Sequence, residues 1–206
     1  MNIIVTHDVD HLYNKDHFFR DLFFSKLIIR TNLQRLGLYG EKINTNEWLN
    51  RLLMPFRYRM NNIEELAIFD KDNNIPATFF FGMANCLSMN YSPNEALHYI
   101  KKLYNMGFSC GVHGCEYSDT KSILYERETF IDLTGRKPDG IRMHYVRFNS
   151  ELPKKLSAAG YLFDSSKFNK KLGFCVEDPF KIGYLWEFPC CIMDSYLPYN
   201  LEKAKK

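Results

Sequence analysis

Short segments rich in aromatic and β-branched residues alternate with segments of helical periodicity, and this alternation constrains the fold more than any other feature of the chain. Six strands are predicted, at residues 3–6, 77–82, 108–113, 140–145, 161–164 and 185–189. The helices predicted between them cover residues 62–70, 92–105, 121–133 and 150–159. Strands that alternate with helices in this way predict an α/β fold, with a parallel sheet and crossover helices.

Local signals support several of these boundaries. Pro76 precedes the second strand, as expected for a residue that cannot sit in the middle of a strand. Ser92 followed by Pro93 is typical of a helix start, and Gly107 follows the last turn of the same helix. In parallel folds of this kind the reactive groups gather where the strand C-termini meet the following loops. The strand ends are therefore where functional side chains are expected.

Length and composition exclude several classes of protein. A chain of 206 residues predicts a single domain over 1–206, and a net charge of +3 is too small to indicate a nucleic-acid partner. No apolar run is long enough for a transmembrane helix. The N-terminal residues lack the basic start and long apolar stretch of a signal peptide, so a cytoplasmic location is expected. None of the six cysteines forms a Cys-x-x-Cys pair, and most are expected to be reduced and buried.

The first strand ends in two carboxylates, Asp8 and Asp10. If the backbone is extended there, both side chains project to the same face. An unpaired carboxylate pair repels itself, so a metal ion or an arginine is expected beside it. His7 and His11 flank the pair, which gives residues 7–11 four potential metal ligands. Alone, the Asp-x-Asp pattern is weak, because most such pairs are not metal sites.

Two further strand ends carry basic or imidazole side chains. His113 ends the third strand between glycines, which suit a tight backbone turn and a close approach. Arg142 and His144 are two apart at the end of the fourth strand and are expected to share a face. Taken singly, His113 could be a structural histidine, and Arg142 more often forms a structural ion pair. An arginine here could also hold a carboxylate and lower its pKa.

The coincidence of these groups strengthens the functional interpretation. Two carboxylates, two imidazoles and an arginine fall at the C-terminal ends of three predicted parallel strands. Mixed oxygen and imidazole ligands suit zinc or another borderline divalent metal. A set that leaves coordination positions open is the catalytic type, because such a metal activates water and polarises a carbonyl.

The motifs also occur in a familiar order. Along the chain they read Thr-x-Asp-x-Asp, Ala-Thr-Phe-Phe, Gly-Val-His-Gly, Gly-x-Arg-x-His-Tyr and Tyr-x-x-Asp-Ser-Ser. Over residues 3–195 this order resembles the NodB-homology polysaccharide deacetylases (carbohydrate esterase family 4). Within that family the chain looks most similar to a divergent branch associated with bacterial surface-polysaccharide gene clusters. The resemblance implies a distorted, incomplete (β/α) barrel with fewer than eight repeats. It also implies metal-assisted hydrolysis of an N-acetyl group on a sugar.

Matched by position, the resemblance assigns roles to individual residues. Asp8 matches the general base and Asp10 the metal-binding aspartate. His113 matches the first histidine ligand. Arg142 matches the arginine that pairs with the base, and Tyr145 the residue whose backbone N–H helps to hold the oxyanion.

The metal ligands depart from the family pattern at one position. The family has a second histidine four residues after the first, and here that residue is Tyr117. His144 stands where the family commonly has proline, and we expect it to supply the missing ligand, with His11 as the backup. Asp164 matches an acidic residue that supports the site.

A second departure concerns the general acid. The family carries this histidine on its last strand, and no histidine follows His144 in this sequence. A further helix and strand would be expected after residue 197. The chain is therefore expected either to be truncated or to use His7 or His11 as the acid.

Residues 12–61 contain no convincing strand and form an insertion after the first strand. Two apolar stripes within it predict two or three helices, packed on the barrel exterior or capping its mouth. A lid over the site, which would set the substrate, is the alternative. The function expected is N-deacetylation of an acetylated saccharide, with zinc as the expected divalent metal. A saccharide-binding or scaffold protein that keeps the fold is the rival, and hydrolysis of a non-sugar amide is a weaker third option.

Overall fold

The structure is a computed structural model, and it describes residues 4–13, 22–40, 42–57, 61–86, 88–89, 91–171 and 175–193. Part of the first predicted apolar stripe, at residues 18 and 19, lies outside the described residues. The end of the chain, from residue 194, also lies outside the described residues, and it includes the region of the expected truncation.

A seven-stranded sheet forms the centre of the molecule. Its strands are β1 (Val5–Val9), β2 (Ala77–Gly82), β3 (Ser109–Gly114), β4 (Ile141–Met143), β5 (Phe163–Asp164), β6 (Phe180–Ile182) and β7 (Leu185–Glu187). They lie side by side in the order β1-β2-β3-β4-β5-β7-β6. All neighbouring pairs are parallel except β6 and β7, which are antiparallel. The predicted parallel sheet is confirmed.

The described helices are α1 (Phe23–Arg35), α2 (Thr45–Arg57), α3 (Ile63–Asp72), α4 (Pro93–Met106), α5 (Thr120–Thr134) and α6 (Leu152–Ala158). The last four agree with the predicted helices to within two residues at every boundary. Helix α4 begins with a capping box between Ser92 and Glu95, and it ends at Gly107, whose φ of 94° suits a residue without a side chain. Across the described residues, no helix combines the length and apolar character needed to cross a bilayer.

The fourth strand is shorter than predicted. It ends at Met143, and a 3₁₀ turn over His144–Val146 replaces its last two residues. Tyr145 in this turn has φ 60° and ψ 20°, so the backbone leaves the extended conformation at this point. His144 lies in the turn just beyond β4, and Met143 before it is still extended. Arg142 contacts Asp8 and His144 contacts Asp10. The expectation that the two side chains share a face stays a prediction.

The far edge of the sheet also differs from the sequence prediction. The strand predicted at 185–189 ends at Glu187, and its hairpin partner β6 was not predicted. The two strands are joined through Gly183, which has a φ of 62°. Phe180, Lys181 and Ile182 do alternate between apolar and polar, but three residues of alternation do not distinguish a strand from a loop.

The sheet stays open. In the part of the chain that the structure describes, β1 lies at one edge and β6 at the other, and the two do not pair. The barrel implied by the family resemblance is therefore not confirmed.

Two helices, α1 and α2, occupy the insertion after β1, as the apolar stripes predicted. Polar contacts join them: the indole N–H of Trp48 donates to Asn32 at 3.1 Å, and Arg51 donates to Gln34 at 2.7 Å. A role as a lid stays a prediction.

The core lies on both faces of the sheet. Phe79, Phe80 and Phe81 are consecutive in β2, and all three are fully buried. A parallel sheet covered on both faces accounts for this run, which does not alternate with polar residues. Between β3 and β4 the backbones approach closely: a Cβ atom on Gly111 would lie 2.6 Å from the carbonyl oxygen of Gly140.

Candidate metal centre and active site

Three side chains meet at the C-terminal edge of the sheet. Oδ1 of Asp10 lies 3.2 Å from Nε2 of His113 and 3.2 Å from Nδ1 of His144. The two imidazole nitrogens are 3.0 Å apart. Asp10 follows β1, His113 lies near the end of β3, and His144 begins the turn after β4. The structure thus brings together the three metal ligands that were predicted, including His144.

A backbone carbonyl on the side of the ring away from Asp10 fixes the orientation of His113. Its Nδ1 lies 3.0 Å from the carbonyl oxygen of Arg142, to which the ring N–H at that position donates. The lone pair of the neutral ring is then on Nε2, the atom that faces Asp10 and His144. Metal-bound histidines commonly donate their other N–H in this way, which sets the tautomer.

The spacing of the three atoms fits a metal ion. Ligand atoms about 2.0–2.1 Å from a tetrahedral zinc ion lie about 3.4 Å from one another. The triangle of 3.0, 3.2 and 3.2 Å is close to that size. Oδ1 of Asp10 is buried and makes no well-directed hydrogen bond, although both nitrogens are near it. A cation held by the three atoms would satisfy this oxygen, so the residues fit a divalent metal.

The charges of the cluster reinforce one another. Burial raises the pKa of Asp10, but the neighbouring imidazoles of His113 and His144 outweigh it and hold that pKa well below its usual range. Burial lowers the pKa of His113, but the charges of Asp8 and Asp10 outweigh it, so the net shift is upward. The pocket is therefore an environment that favours positive charge between the carboxylates.

Asp8 is held by Arg142, as the sequence predicted. Nη1 of Arg142 donates to Oδ1 of Asp8 at 3.1 Å. Its Nε and Nη2 donate to the backbone oxygen and the hydroxyl of Ser165, at 3.0 and 2.8 Å. The guanidinium also lies 5.2 Å from the centre of the Phe80 ring. With three contacts fixing it, the buried arginine holds Asp8 in one orientation.

Asp164 supports the strand that carries Arg142. The hydroxyl of Ser166 donates to Oδ1 of Asp164 and accepts the N–H of Met143 at 2.8 Å. Burial, together with the nearby charge of Glu187, raises the pKa of Asp164 well above its usual value. Oδ2 of Asp164 and Oε2 of Glu187 are buried without other partners, and Glu187 already accepts the N–H of Lys167 at 2.9 Å. The raised pKa favours the protonated form of Asp164, which is the form that can donate to Glu187.

Tyr145 and Tyr117 lie at the rim of the site. The Tyr145 hydroxyl donates to Ser88 at 3.1 Å, and its carbonyl accepts from Lys170 at 2.7 Å. Tyr117 packs its ring 5.8 Å from the guanidinium carbon of Arg147. The structure does not bring Tyr117 into the ligand triangle.

His7 and His11 line a cavity of about 220 Å³ that Asp8 and Asp10 also line. The Nε2 atom of His7 lies 2.7 Å from Oδ2 of the buried Asp70, at the end of α3. Strand alternation points His7 away from Asp8 and toward the helix layer, so the structure does not bring it to the ligand triangle.

Two residues that sequence reasoning missed brace the site. Glu126, buried on α5, accepts the N–H of Cys115 at 3.0 Å and that of Glu116 at 3.2 Å, just beyond His113. Its burial, opposed by these hydrogen bonds, raises its pKa to about 7. The hydroxyl of Tyr91 donates to the carbonyl of Val9 at 2.6 Å and accepts the N–H of Gly82 at 2.7 Å. Glu126 could have been found as an acidic residue on the apolar stripe of its helix.

The cysteines agree only in part with expectation. Cys86 and Cys115 form a disulfide that ties the loop after β2 to the loop after β3. The other four cysteines are free thiols, so most of the six are reduced as predicted, but among these four only Cys110 is buried.

No protein-family model matches the chain, and no curated protein matches its sequence. Among solved structures, it is similar to a candidate polysaccharide deacetylase from Mycobacterium smegmatis, with a TM-score of 0.53 and 16% identity over 95% of this chain. The chain shares the fold of that protein. It spans 64% of that protein's length. IcaB from Ammonifex degensii is also similar, with a TM-score of 0.43, 12% identity and coverage of 81% of this chain and 82% of that one.

Proposed function

We propose that this protein is a metal-dependent hydrolase that removes N-acetyl groups from a saccharide. The observation that supports it most is the triangle of Asp10, His113 and His144 next to the Asp8–Arg142 pair. Three ligands leave open positions on a metal, and a carboxylate fixed beside them can act on a proton. A bound metal and a neighbouring base are together sufficient to hydrolyse an amide with water.

Asp10, His113 and His144 would hold the metal, with zinc the best match to two imidazoles and one carboxylate. A divalent ion bound there supplies a Lewis acid for the acetyl carbonyl and lowers the pKa of water. Asp8 takes the proton from the attacking water. Arg142 holds Asp8 in one orientation, because its Nη1 donates to Oδ1 of the carboxylate at 3.1 Å.

The negative charge that develops on the acetyl carbonyl oxygen needs a hydrogen-bond donor. The backbone N–H of Tyr145 supplies it in this proposal, since Tyr145 immediately follows His144 in the turn. His11 is the candidate for protonating the leaving amine, because it lines the same cavity as Asp8 and Asp10. The acetylated sugar enters over Tyr145, whose side chain is exposed at the rim.

The test combines metal analysis with acetate release. The purified protein is loaded with zinc and incubated with N-acetylated oligosaccharides, and released acetate is measured. We expect one ion per chain and acetate release that a chelator abolishes. Asp8→Asn should remove the activity and Asp72→Asn, an exposed carboxylate on α3, should not. Tight saccharide binding without acetate release at any metal loading would contradict the proposal and favour a binding protein with the same fold.

A further inference from the structure

A second cleft borders the candidate metal centre. It has a volume of about 550 Å³. Its walls are Tyr117 from the loop after β3, residues 146–148 after β4, and residues 167–171 after β5. The first two of these segments directly continue the backbone that carries His113 and His144. A molecule that reaches the metal centre therefore has this cleft next to it.

The cleft is strongly cationic. Arg147, Lys167, Lys170 and Lys171 line it, and among the described residues that line it Glu177 is the acidic one. Glu177 pairs with Lys167 and so offsets one of the four positive charges. The whole chain carries a net charge of only +3. The positive charges that gather in the cleft are therefore largely balanced by acidic residues elsewhere in the chain.

Two of the remaining cations are held in place by neutral groups. Arg147 donates to the carbonyl of Cys115 at 3.3 Å, and Lys170 donates to the carbonyl of Tyr145 at 2.7 Å. A carbonyl orients a cation without cancelling its charge. Both side chains are thus fixed beside the metal centre while their charge remains available to a ligand.

Aromatic rings complete the walls. Tyr117, Phe148 and Phe168 line the cleft with the cations. The Arg147 guanidinium carbon lies 5.8 Å from the Tyr117 ring centre and 5.4 Å from that of Tyr145. Flat apolar surfaces next to fixed charges are the pattern by which a pocket binds a ring and orients it by a few polar groups.

We propose that this cleft binds an anionic group, a carboxylate or a phosphate, on a saccharide whose N-acetyl group lies at the metal centre. The inference rests on the proposed function and names its substrate class: an acidic rather than a neutral saccharide. The anion sits between Arg147, Lys170 and Lys171, and the sugar that carries it packs on the aromatic walls.

The test is a binding measurement that does not depend on turnover. Calorimetry compares three probes: neutral tetra-N-acetylchitotetraose, a tetrasaccharide of alternating N-acetylglucosamine and glucuronic acid, and a phosphorylated N-acetylglucosamine oligosaccharide. Each is measured with zinc and with a chelator, at low and at high salt. We expect at least one acidic probe to bind about tenfold more tightly than the neutral one at low salt. The advantage should shrink at high salt, and the two acidic probes distinguish a carboxylate site from a phosphate site.

A charge-reversal substitution tests whether the anionic group binds in this cleft. Lys171→Glu should remove most of the preference for the acidic probe. Lys137→Glu is the matched control, because Lys137 is exposed and precedes β4 at the opposite end of that strand. It makes the same change in net charge, and the preference should survive it. Circular dichroism of both variants confirms that they fold.

Three results would overturn the inference: equal affinity for all probes, equal losses in both variants, or no saccharide binding at all. Acetate release from the neutral probe with no preference for an acidic one would retain the proposed function and remove the anion site. Binding of an acidic probe that Lys171→Glu abolishes, without acetate release at any metal loading, would support the anion site and contradict the proposed hydrolase activity.

Discussion

His113 and His144 are 31 residues apart in sequence, yet Nε2 of the first lies 3.0 Å from Nδ1 of the second. The pairing of β3 with β4 creates this contact, since His113 lies opposite Arg142 and His144 follows two residues later. Asp10 then approaches both nitrogens from β1. The contact among three separate strand ends makes a candidate metal site out of residues that carry little signal one by one.

Replacing His144 tests whether it is the second imidazole ligand. His144→Ala should weaken zinc binding by more than about 100-fold, because changes even in groups behind a ligand cost about 10–100-fold. His98→Ala is the control, since His98 is exposed on α4. Affinity is measured by competition with a chromogenic chelator. Unchanged affinity in His144→Ala would show that another group, with His11 first in line, is the ligand.

Replacing Asp8 separates proton transfer from metal binding. Asp8→Asn keeps the shape of the side chain and an oxygen for Arg142, but removes the base. Hydrolysis should fall by about 10²–10⁴-fold, the range for general acid–base catalysis, while the zinc content stays the same. Steady-state rates and metal analysis of the same sample measure both. Loss of the metal together with the activity would instead make Asp8 a ligand.

Glu126 should make the stability of the fold depend on pH. Burial raises its pKa from 4.5 to about 7 in the folded protein, so between these values the folded state binds more protons than the unfolded chain. The free energy of unfolding therefore falls as the pH rises through that window, by up to about 3 kcal/mol. Glu126→Gln should flatten this slope.

The slope is measured by urea unfolding of both proteins at pH 5 and pH 8. Asp164 and Glu187 also have raised pKa values and contribute a slope of the same sign, so the difference between variant and parent is the informative quantity. Equal slopes for the two proteins would show that Glu126 does not titrate in this range.

Protonation of Asp164 in the folded protein predicts that two substitutions there have different effects on stability. Asp164→Asn keeps a donor toward Glu187 and an oxygen for Ser166, so the stability at neutral pH should stay within about 1 kcal/mol of the parent. Asp164→Ala leaves buried polar groups without partners and should cost about 1–3 kcal/mol for each. Thermal unfolding of the two variants checks this. An Asn variant as unstable as the Ala variant would mean that Asp164 is ionised in the fold.

Much of the fold follows from local patterns. The run of buried residues in β2 and the capped helix α4 are both set by neighbours along the chain, and both were predicted close to their observed bounds. The end of β4 was not, because the turn at Tyr145 depends on positive φ values that the residues Tyr145 and Val146 do not signal. The open sheet likewise depends on which edges pair, a property of the whole assembly.

The sequence by itself determined the parallel α/β arrangement and the edge at which Asp8, Asp10, His113 and Arg142 would meet. Periodicity fixes which residues end strands, and parallel strands place those ends together. Only the tertiary structure decided that His144 reaches the triangle while Tyr117 stays at the rim. It also decided that Glu126 and Asp164 lie buried with raised pKa values, because burial and register arise from segments far apart in the chain.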